Sequence, residues 1–91
     1  MTNDDIKNEV LRLLGEIAPE AEPSQLKSNL SFRDQLDIDS MDFLNFMIAI
    51  EKRFGVAVPE TDYTKLATLD GCVAYLAAAG GIALKAMNIE D

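Results

Sequence analysis

Leu36-Asp37-Ile38-Asp39-Ser40-Met41-Asp42-Phe43-Leu44-Asn45-Phe46-Met47-Ile48-Ala49-Ile50-Glu51-Lys52-Arg53-Phe54-Gly55 is the stretch that decides the fold. Asp39, Ser40 and Asp42 bring together side-chain oxygens able to cap the free N–H groups of a helix start. Gly55 supplies a stop. The run between predicts a helix carried by Met41, Leu44, Met47, Ile48 and Phe54. Because Phe43 to Ile50 is apolar almost without interruption, that helix is expected to touch several neighbours and to form the main wall of the core.

Upstream, Ile6, Val10, Leu13, Leu14 and Ile17 fall on one helical face from Asn3 to about Ala18. Thr2 or Asn3 can cap this first helix, Asp4 and Asp5 suit its positive end, and Pro19 stops it. Residues 19 to 38 then form a long connection broken by Pro19, Pro23 and several Ser and Asn. Leu26, Leu30, Phe32, Leu36 and Ile38 are spaced through it and are expected to pin it to the core.

Downstream, Val56-Ala57-Val58 reads as an extended linker closed by Pro59, because no partner strand is visible elsewhere. Glu60 to Lys65 predicts one short helix with Tyr63 and Leu66 facing inward. Thr68 caps a last helix with Leu69, Cys72, Val73 and Leu76 on one stripe, and Gly80-Gly81 is expected to end it. The tail carries Ile82, Leu84, Met87 and Ile89 and reads as able to add a loose helical turn. The expectation is an all-α domain: a small four-helix bundle, its third helix short, with a long structured loop between helices one and two. A single domain is expected over residues 1–91, with a core at about 3–79 and a tail at 80–91.

Sixteen acidic residues against eight basic ones give a formal net charge of −8. No Lys/Arg cluster is present to track a phosphate backbone, so nucleic acid is a poor partner, whereas a basic patch on another protein would be attracted. Cys72 is the single cysteine and there is no His, which excludes an intramolecular disulfide and a zinc site of the usual kind. Asp37-Ile38-Asp39 lacks the Gly and Glu that a calcium loop of the EF-hand type needs at its sixth and twelfth positions, so no metal site is assigned. No apolar run approaches the ~20 residues of a membrane span, and the acidic N-terminus has no signal core. A cytoplasmic, monomeric protein is the expectation. Cys72 itself reads as a small core residue with no base to activate it.

The segment Ser31-Phe32-Arg33-Asp34-Gln35-Leu36-Asp37-Ile38-Asp39-Ser40-Met41-Asp42 resembles the attachment motif of the acyl carrier protein family and its peptidyl carrier relatives. The motif is a leucine, two variable residues, then Asp-Ser-Leu/Met. Ala49, Glu51, Phe54, Pro59, Lys65, Leu66, Thr68 and Tyr75 also fall where that family has the same or a similar residue, without a gap. A Ser after Asp at a helix start is by itself ordinary capping; the matching downstream register is what sets Ser40 apart.

The resemblance implies that Ser40 carries 4′-phosphopantetheine, attached from coenzyme A by a phosphopantetheinyl transferase. The arm would hold acyl groups as thioesters and deliver them to acyl-transferring or condensing enzymes with basic patches. The chain itself would supply no catalytic group. Asp34, Asp37, Asp39, Met41, Asp42 and Glu51 are the residues expected to meet those partners, and no Lys or Arg interrupts Asp34 to Glu51.

Asn45 stands where an acidic residue is common, Lys52-Arg53 follow Glu51, and Asp37 replaces a glycine common in fatty-acid carriers. Phe43, Phe46 and Met47 read first as core residues; the functional alternative is that some of them line a pocket or partner surface for the acyl chain, and Phe43 and Phe46 are placed where they could reach solvent. These departures point to a specialised fatty acid, polyketide or related lipid pathway at least as readily as to housekeeping enzymes. Two alternatives stand beside this reading: a peptidyl or aminoacyl carrier, and a helical adaptor that works through its acidic face without any arm.

Overall fold

The computed structural model describes residues 2–90, and side chains through residue 79. Helix α1 spans Asn3–Ile17. Thr2 is its N-cap, with a capping box in which Thr2 Oγ1 accepts from the Asp5 N–H (3.1 Å) and the Asp5 carboxylate accepts from the Thr2 N–H (3.1 Å). The helix ends at Ala18, one residue before Pro19. Ile6, Val10, Leu13 and Leu14 are buried as the spacing predicts, and Ala18 joins them.

The connection from 18 to 39 contains regular pieces that its broken periodicity concealed. Pro23–Gln25 form one turn of 3₁₀ helix and Phe32–Gln35 form a single α-helical turn, α2. Gln35 organises the loop through its own amide. Its oxygen accepts from the Lys27 N–H (2.7 Å), and its nitrogen donates to the carbonyls of Lys27 (2.8 Å) and Leu30 (3.0 Å). Two backbone bonds fasten this loop to the region around the start of the last helix: Phe32 N–H to the Ala67 carbonyl (2.8 Å) and Asp70 N–H to the Ser28 carbonyl (2.9 Å). Phe32 and Ile38 are buried, and Leu26 and Leu36 pack partly buried against the core. Leu30 does not: it is 42% exposed, because the chain there spends its carbonyl on Gln35 while Phe32 takes the interior place.

Helix α3 spans Ser40–Phe54 and ends at Gly55, whose φ of 65° is the left-handed conformation that glycine adopts without strain. Its buried residues are Phe46, Met47 and Ile50. The predicted stripe is thus rotated: Met41 is 62% exposed and Ile48 39% exposed. The helix is apolar nearly all round, so periodicity has no polar face to orient by, and the neighbours decide which residues go inside. Phe46, read from the sequence first as a core residue, is fully buried between Phe32 (centroids 5.4 Å apart, rings perpendicular) and Phe43 (6.3 Å).

Val56 to Pro59 forms no regular secondary structure, with Pro59 extended, and Glu60–Leu66 forms a 3₁₀ helix with Leu66 buried and Tyr63 partly so. Helix α4 spans Leu69–Glu90. Thr68 caps it, its Oγ1 accepting from the Gly71 N–H (2.9 Å). Gly80-Gly81 does not end α4. A helical glycine costs only about 1 kcal/mol, and Ala77 to Ala79 before it and Ala83, Leu84, Lys85 and Ala86 after it are strong helix formers. The packing of Ile82, Leu84, Met87 and Ile89 lies outside the described side chains.

Helix α1 packs against α3 and α4, and α4 against the 3₁₀ helix, which encloses one core built from Ile6, Val10, Phe32, Phe46, Leu66, Cys72 and their neighbours. The architecture is all-α; among the described residues the only strand-like pairing is an isolated bridge between Ser31 and Thr68.

Candidate functional site

Ser40 is the first residue of α3 and is exposed. Asp39 precedes it as N-cap in extended conformation. A second capping box closes over this start: Asp39 Oδ1 accepts from the Asp42 N–H (2.8 Å) and Asp42 Oδ2 accepts from the Asp39 N–H (3.2 Å). The Phe43 N–H already donates to the Asp39 carbonyl (3.0 Å). The N–H groups of Ser40 and Met41 therefore keep no partner among the described residues, and they sit at the positive end of the helix dipole.

A cleft of about 460 Å³ opens beside Ser40, between the start of α3 and the 3₁₀ helix. Met41, Phe43, Leu44 and Tyr63 give it an apolar wall, and Arg33, Glu60 and Thr64 stand in its polar part. Phe43 meets Tyr63 edge to face at 6.1 Å. The 3₁₀ helix that forms one side is fastened to α4, since the Tyr75 hydroxyl donates to Asp62 Oδ2 at 2.7 Å. That bond holds the Asp62 carboxyl below its ordinary range and pushes the Tyr75 phenol up.

Asp34 ends α2's first turn, Asp37 lies in the following loop, and Asp39 and Asp42 form the capping box; Asp34, Asp37 and Asp39 are exposed and Asp42 is half-buried. Met41 is the exposed apolar residue among them. Glu51 stands apart, three helical turns along α3, where its carboxylate accepts from the Val58 N–H (3.0 Å) and ties down the linker. Sequence reasoning missed Arg33, Glu60 and Thr64 as neighbours of Ser40. No local signal marks them, because they reach the cleft from other elements. Cys72 is buried: its Sγ donates to the Leu66 carbonyl (3.3 Å), and burial pushes the thiol up to about 12, far from a nucleophile's range.

The family model for the phosphopantetheine attachment site matches residues 4–76. The chain belongs to this family. Among its relatives, an acyl carrier protein of Rhodococcus erythropolis is 34% identical over 87 residues, covering 92% of this chain and 96% of that protein. An acyl carrier protein of Zymomonas mobilis is 35% identical over 75 residues, covering 82% and 90% respectively. A meromycolate extension acyl carrier protein of Mycolicibacterium aurum is 36% identical over 73 residues, covering 77% and 75%. The fold also matches the solved structure of an acyl carrier protein from Enterococcus faecalis, with a TM-score of 0.74 at 24% identity over 87% of this chain and 99% of that one.

This carrier therefore holds acyl groups on a phosphopantetheine arm, and a phosphopantetheinyl transferase and acyl-handling enzymes are its partners. The residues present suit the arm: an exposed hydroxyl, two free N–H groups able to face a phosphate, and an apolar-walled cleft alongside. Among the described residues no helix is long and apolar enough to cross a membrane.

Proposed function

We propose that Ser40 is the residue that takes the arm, and that Asp34, Asp37, Asp39, Met41 and Asp42 form the surface by which basic patches on partner enzymes find it. The observation that carries this reading is the placement of the Ser40 hydroxyl: exposed, first in α3, and on the lip of the cleft. The capping box leaves that hydroxyl free by assigning the helix-capping work to Asp39 and Asp42. On attachment, the Ser40 oxygen forms a new bond to phosphorus, the pyrophosphate of coenzyme A breaks, and adenosine 3′,5′-bisphosphate leaves; the hydroxyl proton goes to a base of the transferase or to water. When attached, the arm supplies a thiol that holds acyl groups as activated thioesters.

The chain's own residues orient and shelter. The Ser40 and Met41 N–H groups and the helix dipole favour the added negative charge, and Met41, Phe43, Leu44 and Tyr63 offer an acyl chain a surface away from water. Net charge of −8 steers basic partners, an effect that weakens as salt rises. We assign Glu51 to the linker rather than to this surface, on its bond to Val58. Relatives that serve meromycolate extension and the mixed charge of Asn45, Lys52 and Arg53 favour a specialised lipid pathway.

The test is mass measurement after incubation with coenzyme A and a phosphopantetheinyl transferase. The wild type is expected to gain the mass of one phosphopantetheine and Ser40→Ala none. An equal gain on both, or none on the wild type, refutes the assignment. An adaptor without an arm would instead keep its cellular function in Ser40→Ala.

A further inference from the structure

We propose that the Arg33 guanidinium holds the phosphodiester through which the arm is joined, an inference that rests on the reading of Ser40 as the attachment residue. Arg33 and Ser40 line the same cleft, one from α2 and the other from the first position of α3. Arg33 is the sole cation among the residues lining it. It is also the sole Lys or Arg between Ser28 and Glu51, a stretch that contains Asp34, Asp37, Asp39 and Asp42. A phosphodiester formed on Ser40 adds a further negative charge to that neighbourhood, and Arg33 is the positive charge placed to balance it.

Three further observations support a waiting anion partner. First, Arg33 pairs with no carboxylate among the described residues, whose ion pairs use Arg12, Arg53 and Lys65. It stays unpaired although Glu60 shares its cleft and Asp34 and Asp37 are close in sequence. Second, the backbone that carries it is fixed. The Arg33 N–H donates to Ser31 Oγ (3.2 Å), and Phe32, beside it, is fully buried and bonded to the Ala67 carbonyl (2.8 Å). Third, the carboxylates of Asp39 and Asp42 are turned onto backbone N–H groups and neither is engaged with Arg33. A planar guanidinium donates two parallel N–H bonds to phosphate oxygens, which orients the arm's root as well as neutralising it. Because Arg33 is exposed, the gain is in direction more than in affinity.

The same oxyanion chemistry could come from a carboxylate at the far end of an acyl cargo; tethering beside Arg33 favours the phosphodiester. The apo protein is first converted with coenzyme A and a transferase, and mass confirms the product. The Arg33 Nε–H signal is then followed by NMR in the apo, holo, acetyl-loaded and malonyl-loaded carrier. Phosphorus line widths are measured in holo wild type, Arg33→Gln, Arg33→Lys and Lys7→Gln.

The expected result is a shift of Nε–H on going from apo to holo that persists with acetyl cargo. Arg33→Gln should sharpen the phosphorus line, with roughly a two- to fivefold fall in the ratio of held to free phosphate. Arg33→Lys should recover part of the effect, and Lys7→Gln, which removes an equal charge from α1, should have none. A Nε–H response that comes only with malonyl cargo, no response at all, or an equal effect of Lys7→Gln overturns the proposal. Absence of the mass gain removes the Ser40 assignment and this inference together, whereas a gain without an Arg33 response removes this inference alone. Arg33 donates no side-chain hydrogen bond among the described residues, so Arg33→Gln should keep its fold by far-UV circular dichroism.

Discussion

Replacing Gly71 by Ala sets local and tertiary physics against each other. Gly71 is in the first turn of α4, where helix propensity alone favours Ala by up to about 1 kcal/mol. A Cβ built there would lie 2.1 Å from the Lys65 carbonyl oxygen, 3.0 Å from Thr68 Oγ1 and 3.2 Å from the Lys65 carbonyl carbon. The nearest obstacle is backbone, held within the 3₁₀ helix next to the buried Leu66, so it must retreat by about an ångström rather than swing aside. Against a backbone oxygen this close the cost falls in the upper part of the overpacking range, about 2–3 kcal/mol, and subtracting the propensity gain of about 1 kcal/mol leaves a net loss of about 1–2 kcal/mol. For a domain of this size that lowers the melting temperature by roughly 4–15 °C. Urea unfolding followed by circular dichroism gives the midpoint, provided the slope is unchanged. Gly15→Ala is the control: nothing lies within 4 Å of its added Cβ, so propensity acts alone and stability should rise by about 0.5–1 kcal/mol. A Gly71→Ala protein at least as stable as wild type would refute the close approach of α4 to the 3₁₀ helix that frames the cleft.

Asp39 separates capping from recognition: Asp39→Ala should cost about 1 kcal/mol in urea unfolding through loss of the N-cap, and Asp39→Asn much less. If Asp39 also serves partners, both variants should slow arm attachment at low salt, and equal rates for Asn and wild type would confine the residue to capping. The Tyr75–Asp62 bond makes stability depend on pH at both ends. With the Tyr75 phenol raised, its contribution is complete below the ordinary value of about 10 and is lost as pH climbs through the folded value. With the Asp62 carboxyl lowered, its contribution is complete above the ordinary value of about 3.9 and is lost as pH falls through the folded one. The stability difference between wild type and Tyr75→Phe should therefore be flat from about pH 5 to 9 and shrink on either side; a difference that persists unchanged at pH 11 contradicts the bond.

Wherever the governing interactions run between residues three or four apart, the amino-acid order was sufficient. The caps at Asp39 and Thr68, the stop at Gly55 and the exposed start at Ser40 all follow from side chains acting on their own helix turn, and the sequence narrows the first helix's cap to Thr2 or Asn3, of which the structure uses Thr2. The charge of −8 and the single buried-type cysteine needed no fold either. Which face of α3 turns inward could not be read, because apolar residues surround that helix and only packing against Phe32, α1 and α4 selects Phe46 and Ile50 over Met41 and Ile48. The cleft belongs to the same class: Arg33, Ser40 and Tyr63 come from three elements, and they meet because Gln35 folds the loop and Tyr75 fastens the 3₁₀ helix. Chain order carries short-range bonding directly, whereas contacts between distant residues exist only once burial has chosen one arrangement of the helices.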